Sequence, residues 1–197
     1  MGISFRTEYI LKIVMSPPEI DLLTAFMKES SHYFEYGMGG STCLASRLVK
    51  KTVTAIDSDP AWIDNVRDKI KTSKLRLTLS HVDIGKTGGW GTPIGTTSRE
   101  KFPSYSKFIR TCPVDEIDLC LIDGRFRMAC VFEALASLRA EAIIGIHDYA
   151  ARPQYHGVER FARPIASSQQ LSFFIRKPGI PNSDLEAIAD SYRYNPE

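Results

Sequence analysis

Cysteine is scarce in this chain. Four residues of 197, at positions 43, 112, 120 and 130, form no Cys-x-x-Cys pair and stand beside no histidine at metal-site spacing. That argues against both a disulfide framework and a zinc site, so the thiols are expected to be reduced and intracellular. Long apolar runs are also missing: nowhere do about 18 apolar residues follow one another, as a membrane-spanning helix needs. Residues 1–12 lack an uninterrupted apolar core with a small-residue cleavage site, so neither secretion nor a membrane is expected and the location is expected to be cytoplasmic. Charge of one sign is lacking too. The 25 basic and 23 acidic residues nearly cancel, and no window concentrates Lys and Arg, so nucleic acid is not an expected partner. The sequence is silent on oligomeric state. With no internal repeat and no linker, residues 1–197 are expected to fold as one domain.

What the chain does contain is alternation. Ser16-Pro17-Pro18-Glu19 reads as a helix start, with a cap, a first-turn proline and a capping-box acid, and Ile20, Leu23, Phe26 and Met27 mark its buried face. Residues 1–32 form an N-terminal helical segment on this reading. Tyr33-Phe34-Glu35-Tyr36 is a short aromatic strand stopped by glycine. Leu44, Ala45, Leu48 and Val49 repeat at helical spacing, and residues 52–56 are a β-branched run ending at Asp57, which completes a βαβ unit. Asp59-Pro60 starts another helix. Residues 75–82, 117–122 and 142–146 read as three more strands, with a helix marked by Val131, Ala134, Leu135 and Leu138 before the last. Residues 165–168 and 171–175 flank Gln169-Gln170 as an antiparallel pair, and a helix follows from about Ser183. The fold class is therefore α/β: a Rossmann-like, doubly wound, mostly parallel seven-stranded sheet with helices on both faces and a C-terminal antiparallel strand pair. Residues 85–105 hold five glycines without periodicity and read as a long loop, a candidate lid carrying Trp90, Phe102 and Tyr105.

Parallel sheets of this kind bind ligands at the carboxyl ends of their strands. Those ends read Glu35-Tyr36-Gly37-Met38-Gly39-Gly40-Ser41-Thr42, Asp57-Ser58-Asp59, Asp83-Ile84, Asp123-Gly124-Arg125 and His147-Asp148-Tyr149, each with an acid. Glycines 37, 39 and 40 let the backbone turn tightly against a ligand, and the following helix offers free N–H groups. Asp57, about 20 residues on at the end of strand two, is placed to accept from ribose hydroxyls. A dinucleotide fingerprint would need Gly or Ala where Thr42 stands, which disfavours NAD.

Phe34-Glu35-Tyr36-Gly37-Met38-Gly39-Gly40-Ser41-Thr42 resembles the first motif of class I S-adenosylmethionine-dependent methyltransferases, in which an acid stands two residues before the first glycine. The resemblance covers roughly residues 16–155. It implies S-adenosylmethionine as cofactor, with Glu35, Gly37, Met38, Gly39, Gly40 and Ser41 around its methionine part and Asp57 and Ser58 at its ribose. It also implies Asp83 and Ile84 beside adenine and Asp123 bordering the same crevice. Trp62 either covers the adenine face or simply packs, and Asp59 reads as a helix cap. Leu121-Ile122-Asp123-Gly124 and Ile146-His147-Asp148-Tyr149 are similar to the corresponding strand ends of small-molecule O-methyltransferases. Arg125-Phe126-Arg127 departs from those relatives, and reads as a solvated face or as a fork for an anionic substrate.

Asp123, His147 and Asp148 are the candidate catalytic residues, expected to converge at the polar end of a small-molecule substrate site. A hydroxyl acceptor would need one of them as base, whereas an amine would need only orientation. The acids leave room for a divalent metal without indicating one, because Tyr149 stands where metal-dependent relatives carry a third oxygen ligand. His147 is therefore the favoured base, active once its imidazole loses its proton. Two other readings stand beside a methyltransferase: a non-catalytic protein that binds S-adenosylmethionine or S-adenosylhomocysteine, and a nicotinamide-dependent oxidoreductase.

Overall fold

A computed structural model describes residues 11–70 and 75–197. Residues 1–10, on which most of the leader reading falls, and residues 71–74 lie outside the described part. Seven strands form one sheet: β1 (His32–Tyr36), β2 (Thr52–Asp57), β3 (Arg76–His81), β4 (Leu119–Ile122), β5 (Ile143–Ile146), β6 (Ala162–Ser168) and β7 (Leu171–Arg176). Their order is β3-β2-β1-β4-β5-β7-β6. β1 to β5 are parallel, and β7 runs antiparallel to both β5 and β6. The order reverses between β1 and β4, so their carboxyl ends flank a crevice.

Side chains on the central strands alternate between two cores, as the pleat requires. Tyr33, Leu119 and Leu121 face one side with Leu23 and Met27 of helix α1 (Pro17–Glu29) and Ala45 of α2 (Gly40–Leu48). Phe34, Tyr36, Cys120 and Ile122 face the other, against α5 (Arg127–Ser137) and α6 (Asn182–Tyr192). Beside β2, Ala55 packs with Ile63 and Val66 of α3 (Pro60–Lys69). The apolar residues of β4 are all buried, which is why its sequence shows no alternation of polarity. No helix among the described residues is long and apolar enough to cross a membrane.

The stretch 85–105 differs from the expected structureless loop. Gly88 N–H donates to Thr92 O and Ile94 N–H to Lys86 O, both at 2.8 Å, closing a small hairpin over residues 86–94 with Trp90 at its tip. A second tight turn follows at Arg99–Lys101, and Pro103–Lys107 is a short helix, α4. Glycines 85, 91 and 95 take positive φ, which allows such turns without any periodicity to announce them. Phe102 and Tyr105 are core residues rather than lid contacts, since both are buried against Phe126. Only residues 85–101 remain free to act as a cover.

Candidate active site

The glycine turn is held from beneath. Glu35 is fully buried, and its carboxylate accepts from the Ser41 and Thr42 hydroxyls, while Thr42 Oγ1 accepts from Gly39 N–H at 2.9 Å. Burial, only partly offset by those two hydroxyls, pushes the Glu35 carboxyl up to about 8. Glu35 thus shapes the turn rather than facing the crevice. Thr42, informative in the sequence only as a mismatch to the dinucleotide pattern, is the second member of this brace. Met38 and Ser41 are buried in the turn, and Gly40 lies under residues 11–13, so closely that a Cβ there would meet Leu11 O at 2.5 Å.

Asp57 ends β2 beside the turn, where Gly37 N–H donates to Ile56 O. Its Oδ1 accepts from Ser58 N–H at 2.7 Å and Asp59 N–H at 3.1 Å. Burial raises its carboxyl to about 6, against the opposing pull of backbone N–H groups of Asp59, Ser58 and Met38. Asp59 caps α3 by accepting from Ala61 and Trp62 N–H. That cap places Trp62 over the glycine turn, its indole Nε1–H donating to Met38 O at 2.7 Å and its ring against Gly39. Ser58 is buried and its hydroxyl faces Gly91 O at 3.4 Å, so the hairpin tip rests against the end of β2. Ile84 is buried, whereas Asp83 is exposed and engaged by Lys101 Nζ at 2.6 Å and by Gly85 N–H.

Asp123, His147 and Asp148 do converge. One ligand atom of each lies within 4.8 Å of the others. His147 Nδ1 is 3.0 Å from Asp123 Oδ1 and 3.8 Å from Asp148 Oδ1. Its other nitrogen, the one a base would use, faces Glu19 Oε1 of α1 at 3.8 Å. Glu19 also accepts from Ser16 N–H and from Gln170 N–H, tying the start of α1 to the β6–β7 turn. Burial opposes a charge on His147, yet the hydrogen bond to Asp123 and the charges of Asp123 and Asp148 hold its pKa above the ordinary value. Asp148 sits in the left-handed region at φ 58°, an uncommon placement for a residue with a side chain.

Arg127 corrects the solvated-face reading of its segment. It is buried, with Nη1 2.9 Å from Asp148 Oδ2, Nη2 3.1 Å from Asp123 Oδ1 and further bonds to the carbonyls of Gly124 and His147. The guanidinium therefore already neutralises the two acids that a metal would need. For Asp148, burial acts to raise the carboxyl, but Arg127, His147 and Arg152 together keep it below its ordinary value. Glu19 is the member of this cluster that sequence reasoning missed, and Arg127, read as a solvated face or a fork for an anion, instead spans the two acids. Glu19 was visible only as a capping residue, and Arg127 carried no spacing that marks a buried pair.

No protein-family model matches the chain, and no curated protein does. Solved structures match along nearly all of it. A methyltransferase-like protein from Silicibacter pomeroyi aligns at 27% identity and TM-score 0.85, covering 96% of this chain and 100% of the other. The chain shares the fold of the class I S-adenosylmethionine-dependent methyltransferases. An O-methyltransferase from Bacillus cereus in complex with SAH has TM-score 0.52 at 16% identity, over 83% of this chain and 82% of that one. A tRNA (m1A58) methyltransferase from Aquifex aeolicus has TM-score 0.55 at 10% identity, over 86% and 73%. These two share the fold alone with this protein, and their acceptors differ in kind.

Proposed function

We propose that this protein transfers a methyl group from S-adenosylmethionine to a small-molecule acceptor. The observation that carries the reading is Asp57, a half-buried carboxylate at the end of β2 whose Oδ1 is fixed by two backbone N–H groups, directly beside a glycine turn that Glu35 and Thr42 brace. A rigid acid of this kind suits a pair of ribose hydroxyls. The small side of the glycine turn suits the methionine part, and Ile84 with Asp83 stands at the adenine end on the family resemblance. The near-balance of charge supports a small molecule over nucleic acid as acceptor.

S-adenosylmethionine, when bound, supplies an electrophilic methyl group on a positively charged sulfur. The residues of this chain contribute position and charge. Asp148 is held ionised by two arginines and makes a poor proton acceptor, and His147 turns its second nitrogen toward Glu19. An acceptor that is already nucleophilic, a neutral amine or an ionised oxygen, fits this site better than a neutral hydroxyl.

Calorimetry with S-adenosylhomocysteine and with NAD tests the cofactor. Tight binding of the first and weak binding of the second is expected, and the reverse would sink the proposal. The same engaged polar trio also suits a protein that binds the cofactor without catalysis. Conversion of S-adenosylmethionine to S-adenosylhomocysteine with a panel of amines and acids separates the two, since a sensor would show binding without turnover.

A further inference from the structure

Three guanidiniums crowd the ends of β4 and β5, and two of them are satisfied. Arg127 is buried between Asp123 and Asp148. Arg152 reaches Asp148 Oδ2 at 3.1 Å and the Tyr155 hydroxyl at 3.2 Å, with its guanidinium 5.6 Å from the Tyr155 ring centre. Arg125 is different. Among the described residues it makes no ion pair, and its Nε is buried with no hydrogen-bond partner. Leaving such a donor unpaired costs free energy, all the more when it carries charge. Burial, with Arg127 and Arg152 as close cationic neighbours, pulls its pKa below the ordinary value. The cluster as a whole sets three guanidiniums against two carboxylates, while His147 and Glu19 face each other.

The place of Arg125 connects this surplus to the crevice. A Cβ on Gly91 would lie 3.9 Å from Arg125 Cγ and 3.8 Å from Asp57 Oδ1, so the arginine stem and the ribose acid border the same hairpin tip. The buried tyrosines 105 and 155 are among the groups that act on its charge.

We propose that Arg125 receives an oxyanion, a carboxylate or phosphate carried by the methyl acceptor, with the charge of Arg152 adding to the attraction. A guanidinium fork matches two oxygens of either group, and a bound anion would both satisfy Nε and cancel the surplus charge. The site lies on the β4–β5 side with Asp123 and Asp148, whereas the methionine carboxylate of the cofactor belongs with the glycine turn. Calling the ligand an acceptor rests on the methyltransferase reading; the anion site itself does not.

The test is nuclear magnetic resonance of the Arg125 Nε–H in the whole protein, titrated with inorganic phosphate and with acetate, first without and then with saturating S-adenosylhomocysteine. A saturable shift with phosphate or acetate in both conditions is expected, and calorimetry should show phosphate binding weakened about tenfold or more in Arg125→Gln and in Arg152→Gln. A shift produced by S-adenosylhomocysteine alone, with nothing added by either anion, would make the cofactor's own carboxylate the occupant and overturn the proposal. No shift with any of the three overturns it as well. Failure to bind S-adenosylhomocysteine would strike the methyltransferase reading, while the anion titration of the ligand-free protein still decides the role of Arg125.

Discussion

Gly37 and Gly124 meet backbone to backbone at the head of the crevice. A Cβ on Gly37 would lie 2.4 Å from Gly124 Cα, and one on Gly124 would lie 2.8 Å from Gly37 N and 2.2 Å from the Tyr105 hydroxyl. Two strand ends can approach this closely only without side chains, which fixes the width of the site between β1 and β4. Gly124→Ala should therefore destabilise the fold by about 1–3 kcal/mol, the usual cost of overpacking. Adding Tyr105→Phe should recover part of that loss, because it removes one of the two obstructions. Urea unfolding of the single and double variants measures both effects, and an undiminished stability in Gly124→Ala would refute the contact.

If Asp57 holds the ribose as proposed, it gives cofactor binding a pH dependence. With its carboxyl raised to about 6, Asp57 is mostly protonated at pH 5 and mostly ionised at pH 7, and only the ionised form is a strong acceptor for hydroxyls. Affinity for S-adenosylhomocysteine should rise up to about tenfold across that range. In Asp57→Asn the rise should disappear and binding at pH 7 should weaken by about 1.5–3 kcal/mol, as for a lost hydrogen bond to a charged group. Calorimetry at both pH values reads this, and an identical slope in the variant would place the titrating group elsewhere.

Glu35 couples pH to stability instead. Its folded carboxyl is raised to about 8 from an ordinary 4.5. Between those values the folded chain holds a proton that the unfolded chain has released. The stabilisation is complete below the unfolded value and fades as pH rises through the folded one, with a slope of at most about 1.4 kcal/mol per pH unit. Glu35→Gln, which stays neutral throughout, should lose less stability than the parent between pH 6 and 8. Equal losses in chemical denaturation would mean that Glu35 is not protonated in the native state.

Much of this architecture is legible in the residues. Apolar runs, aromatic in β1 and β-branched in β2, mark the strands, including the pair around Gln169-Gln170, and the acids stand at the strand ends. Legibility stops where structure depends on pairing rather than on period. The hairpin over residues 86–94 is built from local backbone bonds between residues with no apolar pattern, so it reads as a loop. Arg127 and Glu19 look like a surface charge and a capping acid, yet each closes a buried contact with a residue more than 20 positions away. Asp83 is exposed and pairs with Lys101, a partner that lies 18 residues on and beyond the hairpin.

We propose that the hairpin tip acts as a cover. Trp90 is exposed and held at φ 60°, in the left-handed region that disfavours side chains, while the neighbouring Gly91 carbonyl takes the Ser58 hydroxyl. A strained tip anchored by one weak bond should respond to whatever occupies the crevice. Limited proteolysis between residues 86 and 101 should slow when S-adenosylhomocysteine is present, with cleavage rates elsewhere unchanged. Equal rates in both conditions would leave residues 85–101 a surface excursion without a gating role.

Arg127 decides how the acid cluster behaves. Because its guanidinium spans Asp123 and Asp148, the intact protein has no need of a cation there, and chelation should leave its thermal stability unchanged. Removing the guanidinium leaves the two carboxylates facing each other across His147. Arg127→Ala should cost about 3–5 kcal/mol, as when one partner of a buried pair is deleted. The three donor groups would then lie within 4.8 Å of one another, with Arg152 on Asp148 the one arginine left in the cluster, a spacing that suits a divalent ion. Manganese should raise the melting temperature of Arg127→Ala and not that of the parent. A parent protein stabilised by manganese to the same degree would show that the metal and Arg127 do not compete, and would return the divalent ion to the active site.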